Sequence, residues 1–164
     1  MQLHLLALGK LRTPGLRESA DYYARNLQPW IHLKETELKP VAVSDKSAAS
    51  RKIVQKKEAA LLRDKVAALA GKKMVFVMDE TGKGKSTEDW AKLFQTLESD
   101  GTQHAVFCLG GSLGFEAEFR RSAQAVFSLG PQTLSHELAR VVLLEQLYRS
   151  FSVIRGHPYH NSGS

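Results

Sequence analysis

The chain has 164 residues, 43% hydrophobic and 24% charged, a length and balance suited to one globular domain that buries ~70% of its unfolded surface without disulfides or a structural metal. Twenty-three Lys and Arg against seventeen Asp and Glu leave a net charge of +6, no apolar run exceeds six residues, and Cys108 is the lone cysteine. These features exclude a membrane span, which needs roughly 18 consecutive apolar residues, and an internal disulfide framework. Met1-Gln2-Leu3-His4-Leu5-Leu6 shows neither a basic n-region nor a cleavage site, so a soluble protein of a reducing, cytoplasmic compartment is expected.

In chain order, Gln2 to Leu8 alternates and stops at Gly9, the pattern of a strand. Pro14 then opens a helical segment through about Leu27, with Leu16, Ala20, Tyr23 and Leu27 at spacings of three and four. A second strand is expected from Trp30 to Leu38. Between Lys46 and Lys73 lies a basic helix, on which Arg51, Lys52, Lys56, Lys57, Arg63 and Lys65 alternate with Val54, Leu61, Leu62, Val66 and Leu69. Its cations suit a solvated helix face and RNA phosphate binding equally. Three short apolar runs follow, at 74–78, 105–109 and 125–129. Continuous apolarity is the mark of strands buried on both faces. The helical patterns between them, Thr87 to Ser99 and Phe115 to Ala123, predict crossovers in a parallel sheet, hence an α/β fold. The last long helix, Ser135 to about Val153, carries Leu138, Val141, Val142, Leu144, Leu147, Tyr148 and Phe151 around much of its surface. Such a helix must be packed on more than one side. No repeat or linker divides the chain, so residues 1–164 are read as one domain.

Charge is unevenly distributed: residues 1–85 hold 17 basic and 9 acidic side chains, residues 86–164 hold 6 and 8. The second half should therefore hold the chemistry. Thr81-Gly82-Lys83-Gly84-Lys85-Ser86 follows a strand but is no P-loop, because the glycine required five residues before Gly84 is Asp79. A mobile turn carrying cations is expected instead. Gly110-Gly111-Ser112-Leu113-Gly114 lacks dinucleotide-binding spacing, yet its glycines permit close approach of a flat ligand to bare backbone. Alone, the loop is equally a structural turn. No zinc-ligand spacing is present, and Cys108 inside an apolar strand should be inert. The densest polar set is His136, Arg140, Glu145, Arg149, His157, Tyr159 and His160. Arg140 and Arg149 on an apolar helix need partners; internal ion pairs with Glu137 and Glu145 account for part of this.

Four ordered motifs, Gly110–Gly114, Thr133 to Arg140, Glu145 to Arg149 and His157-Pro158-Tyr159-His160, resemble the RlmH family over essentially the whole chain. Its members are SPOUT-class methyltransferases that move a methyl group from S-adenosylmethionine to N3 of a pseudouridine in 23S ribosomal RNA of the large subunit. The resemblance implies a parallel-sheet α/β SPOUT fold with a C-terminal trefoil knot, a rarity among proteins, and a homodimer acting on the ribosome, without a metal. Matched position by position, it puts the cofactor pocket on Met78, Gly110, Gly111, Leu129, Gly130, Pro131, Gln132, Thr133 and Leu134, and the substrate side on Arg149, Tyr159 and His160. Ser135 and Asn161 depart from the family's usual Pro and basic residue; Asn161 weakens the case for a terminal cation gripping RNA.

An imide nitrogen attacks well only after deprotonation. His160 is the expected base, Tyr159 its orienting partner and Arg149 the cation beside the developing anion, leaving structural roles for His136 and His157. Arg51, Lys52 and Lys56 are the expected RNA contacts. The rival reading is a non-catalytic ribosome- or RNA-binding protein that keeps the fold.

Overall fold

The computed structural model describes residues 1–160; Asn161, and with it the last part of the expected domain, lies outside the described residues. Five strands, β1 (Gln2–Leu8), β2 (His32–Leu38), β3 (Lys73–Gly84), β4 (His104–Leu109) and β5 (Ala125–Ser128), form one sheet in the order β2-β1-β4-β3-β5. Every pairing is parallel. The connecting helices are α1 (Leu16–Leu27), α2 (Ala48–Ala67), α3 (Thr87–Ser99), α4 (Ala117–Ser122) and α5 (His136–Ile154). The α/β class and all ten segments expected from periodicity are present; boundaries move by a few residues, β2 starting at His32 and α2 spanning less than the full basic stretch.

Because successive strand residues point to opposite faces, each apolar run feeds two cores. Leu3, Leu5, Phe76, Ala105 and Phe107 pack with Leu27 of α1, Trp90 and Phe94 of α3, and Leu144, Leu147 and Phe151 of α5. Leu6, Leu8, Val77, Val106 and Cys108 pack with Ala59 and Leu62 of α2 and Phe119 of α4. Helix α5 lies against both α1 and α3, and Phe94 packs at a tilt on its Phe151 with ring centres 4.9 Å apart. The apolar surface around α5 is thus largely covered within the chain, by its two neighbours and the sheet.

Two sequence expectations need correction. First, β3 does not end at Met78 in a mobile turn. Phe76–Met78 pairs with Ala125–Phe127, four residues are looped out of register, and Lys83–Gly84 then pairs with Phe127–Ser128. The returning chain lies so close to β5 that a Cβ on Gly82 would sit 2.7 Å from backbone atoms of Val126 and Phe127; this is why the segment needs glycine and why it is held rather than loose. Second, Arg140 does not pair with Glu137. Its guanidinium, 3% exposed, bonds Glu35 Oε2 through Nε at 2.9 Å and Glu37 Oε1 through Nη1 at 2.8 Å, tying α5 to β2. Glu137 instead accepts the backbone N–H groups of Arg12 (2.7 Å) and Thr13 (2.9 Å). The expected Arg149–Glu145 pair is present.

Gly82→Ala is expected to cost about 1–3 kcal/mol by forced overpacking, whereas Gly84→Ala, whose Cβ meets nothing within 4 Å, should cost clearly less; urea denaturation of the two variants measures the difference.

Candidate functional site

The carboxyl ends of β4 and β5 and the looped-out middle of β3 converge on a cleft of about 610 Å³. Three loops enclose it. After β4, the chain runs through Gly110–Gly114, whose Leu113 carbonyl accepts the Gln55 side-chain amide at 2.7 Å. After β5, Ser128 Oγ donates to the Gly130 carbonyl at 2.6 Å and accepts the Gly130 N–H at 3.1 Å, closing a turn in which Gly130 has φ 143°, a left-handed value that favours glycine. From β3, Asp79–Thr81 forms the third wall, braced by Thr81 N–H on Asp79 Oδ1 at 2.9 Å and by Arg120 on Thr81 Oγ1 at 3.2 Å. Burial opposes ionisation of Asp79, but Thr81 and Arg120 outweigh it and hold the carboxyl below its usual range. Thr133 hydrogen-bonds Glu80, joining two of the walls.

Met78, Gly110, Gly111, Leu129, Gly130, Gln132, Thr133 and Leu134 all line this cleft. Pro131, also expected there, is exposed and outside the lining. The glycines have a reason in the protein's own packing: a Cβ on Gly110 would come 2.9 Å from the Phe115 ring, and one on Gly111 would come 3.3 Å from Glu58 Oε2. Glu58 is 4% exposed. Its Oε1 accepts the Val41 N–H at 3.1 Å, while Oε2 has no partner among the described residues. Burial pushes its carboxyl up, against the opposing Val41 hydrogen bond.

The cleft fits a flat, polar-edged organic cofactor. Met78, Leu109, Leu129 and Leu134 supply apolar walls, and the backbone N–H groups of Gly111, Gln132 and Leu134 make no hydrogen bond among the described residues. The carboxylates of Asp79 and Glu80 at the rim suit a ligand bearing positive charge.

Arg149 and Tyr159 come together elsewhere, around Glu145, while the next residue, His160, faces Glu88. Arg149 bonds Glu145 through Nε at 2.8 Å and through Nη2, its guanidinium lies 4.8 Å from the Tyr159 ring centre, and Tyr159 donates to Glu145 Oε1 at 3.2 Å. Tyr148 packs on Tyr159 with ring centres 4.4 Å apart. Hydrogen bonding to Glu145 raises the Arg149 guanidinium further, and burial raises the Tyr159 hydroxyl, so the latter is a phenol and a donor. His160 Nε2 is 3.5 Å from Glu88 Oε1. Ten residues of α5 separate Arg149 from Ala139 at the cleft wall, ~15 Å of helix rise. His157 packs edge-on against Trp30.

Arg51, Lys52 and Lys56 are exposed on α2. Arg51 and Lys52 stand one turn before Gln55, and so border the glycine loop. Cys108 is buried and its thiol is pushed up to about 12. Among the described residues no cluster of His, Cys, Asp and Glu is arranged to hold a metal ion, and no helix is long and apolar enough to cross a membrane. Sequence reasoning missed Gln55, Glu58, Asp79, Glu80 and Arg120. Only the Asp79-x-Thr81 spacing, which favours a side-chain-capped turn, carried a local signal.

A cleft at one end of a five-stranded parallel sheet, walled by the loops after β4 and β5 and by the looped-out Asp79–Thr81 of β3, fits the class found by comparison: the model of the predicted SPOUT methyltransferases matches residues 1–160. Ribosomal RNA large subunit methyltransferase H of Desulfovibrio desulfuricans is 38% identical, covering 97% of both chains. The proteins of that name from Acetivibrio thermocellus and Bacillus thuringiensis are each 34% identical, over 98% of this chain and 99% of theirs. The chain belongs to the ribosomal RNA large subunit methyltransferase H family of SPOUT methyltransferases.

Glu58→Gln keeps the acceptor for Val41 but removes the charge. Since a raised carboxyl makes ionisation cost stability as pH rises above the usual 4.5, this variant should be more stable than wild type at pH 8 and equal to it near pH 4, as read by denaturation midpoints across that range.

Proposed function

We propose that the chain transfers a methyl group from S-adenosylmethionine to N3 of a pseudouridine in 23S ribosomal RNA of the large subunit, as a cytoplasmic homodimer with a C-terminal trefoil knot. The observation that carries this reading is one cleft lined by Met78, Gly110, Gly111, Leu129, Gly130, Gln132, Thr133 and Leu134. When bound, S-adenosylmethionine supplies an electrophilic methyl on a sulfonium. Leu129 and Leu134 would offer backbone groups to its adenine edge, Gly130, whose N–H and carbonyl engage Ser128, would shape the turn, and Met78, Leu109 and Leu134 would give apolar contact. Asp79 and Glu80 complement its positive charge. Holding acceptor and donor in line is worth several kcal/mol by itself.

The acceptor nitrogen must lose a proton. His160 is the proposed base, Tyr159 orients the base ring, and Arg149 offers Nη1, which has no partner among the described residues, to the developing anion. Glu145 fixes the last two by accepting from both. Within one chain this cluster is too far along α5 to reach the cleft, so the reading requires a second copy to bring its own cluster there. The basic face of α2 beside the glycine loop gives the RNA backbone a landing surface.

Mixed dimers provide a direct test of shared sites. Gly111→Val, with a side chain forced against Glu58, should lose cofactor binding by calorimetry, and His160→Ala should lose about 10²-fold in single-turnover rate. Co-assembled, the two inactive forms should regain methylation at one site per dimer; no recovery would place each tail with its own cleft. Separately, Lys52→Glu with Lys56→Glu should weaken ribosome binding and flatten its salt dependence without changing cofactor affinity. An unchanged salt slope would return those cations to a solvated face.

A further inference from the structure

We infer that a second cleft, at the carboxyl ends of β1 and β2, holds the acceptor nucleotide of the RNA strand, with His136 against its base and Lys10, Arg12 and Lys39 around its phosphates. This rests on the ribosomal RNA reading above and specifies where the substrate sits. The cleft measures about 500 Å³, within the range of small-molecule sites. Gly9, Leu38 and Pro40 give it apolar walls. Gly9 has φ 117°, and a Cβ there would come 3.2 Å from His136 Nε2. The glycine thus lets the imidazole lie directly against the main chain.

Position is the first argument. His136 lines both this cleft and the cofactor cleft, so a ligand in one shares a wall with a ligand in the other. Methyl transfer demands that donor and acceptor be neighbours, and this is where the chain makes two concavities meet.

Charge is the second. The two acids lining the cleft are already engaged: Glu37 accepts from Arg17 and Arg140, and Glu137 accepts from the backbone of Arg12 and Thr13. Hydrogen bonds from Thr13 and Arg12 pull the Glu137 carboxyl down to about 2. The side chains of Lys10, Arg12 and Lys39 are exposed and pair with no acid among the described residues. The cofactor cleft holds two acids, Asp79 and Glu80, against one cation, Arg120, which pairs with Asp79; its neighbour holds three cations with no acid paired to them among the described residues. A cationic methyl donor belongs in the first and a polyanion in the second.

The test compares wild type with Lys10→Glu/Lys39→Glu, with Pro40→Trp, which fills the cleft without altering charge, and with His136→Ala, each checked for melting temperature and for calorimetric affinity for S-adenosylmethionine. The charge variant should bind ribosomal large subunits roughly tenfold or more weakly, with the log–log salt slope reduced by about two. Pro40→Trp should raise KM at wild-type cofactor affinity, as should the charge variant, and His136→Ala, at the shared wall, should lower kcat. Uridine 5′-monophosphate added to cofactor-saturated wild type should shift the His136 ring resonances but not those of Pro40→Trp. Folded variants that bind and methylate like wild type, or Lys10→Glu/Lys39→Glu and Pro40→Trp proteins that lose cofactor affinity instead, overturn the assignment. Methyl transfer by wild type reports on the functional reading separately: if wild type modifies ribosomal RNA and the variants do too, only the cleft is wrong.

Discussion

The functional end of this molecule depends on one backbone-to-backbone approach, where the returning arm of β3 passes β5 at Gly82. With no room for a Cβ between Gly82 and the Val126–Phe127 backbone, Asp79–Thr81 is pressed beside the turn that follows β5. The Thr133–Glu80 contact and the Arg120–Thr81 bond then close the wall. Loosening that approach would separate the β3 and β5 loops and open the cleft, although no residue of the crossing itself carries chemistry. Close-packed interiors transmit displacements of this kind because they have few voids to absorb them.

A second brace fixes the other side. Arg140, buried on α5, holds Glu35 and Glu37 of β2 in place, and the first turn of the same helix holds Glu137 against the Arg12–Thr13 backbone. Buried ion pairs add little net stability, but losing one partner leaves charges uncompensated at a cost of about 3–5 kcal/mol. Their effect here is geometric: they lock the start of α5, and so His136, between the ends of β1 and β5. They also consume the acidic charge near β2, which leaves the neighbouring lysines free to create a positive field.

The tail residues form a unit of a different kind. Tyr159 is gripped by Tyr148, Arg149 and Glu145 rather than fraying, so the chain delivers a preformed set of donors at the far end of α5. Pre-organisation of this sort lowers the ordering cost of binding. Together with the distance from the chain's own cleft, it makes the oligomeric state part of the catalytic question.

Much of this was legible in the residues. Continuous apolar runs such as Met74–Met78 and Ala105–Leu109 revealed strands buried on both faces, and period-3.6 patterns revealed the helices between them; that Gly110-Gly111 and Leu129–Leu134 meet in one cleft came from the family resemblance. The strand and helix patterns are local: periodicity and turn chemistry act over a few residues, so a sequence exposes them directly. What the tertiary structure alone decided is who meets whom. Arg140 had Glu137 three residues before it, yet its partners are Glu35 and Glu37, more than a hundred residues away. Gly82 looked like a flexible turn because nothing local shows that β5 passes beneath it. Gln55, Glu58 and His136 gained their places at the clefts in the same way. Contacts between distant segments depend on strand order and helix packing, and no local pattern of apolar and polar residues encodes which carboxylate a given arginine will find.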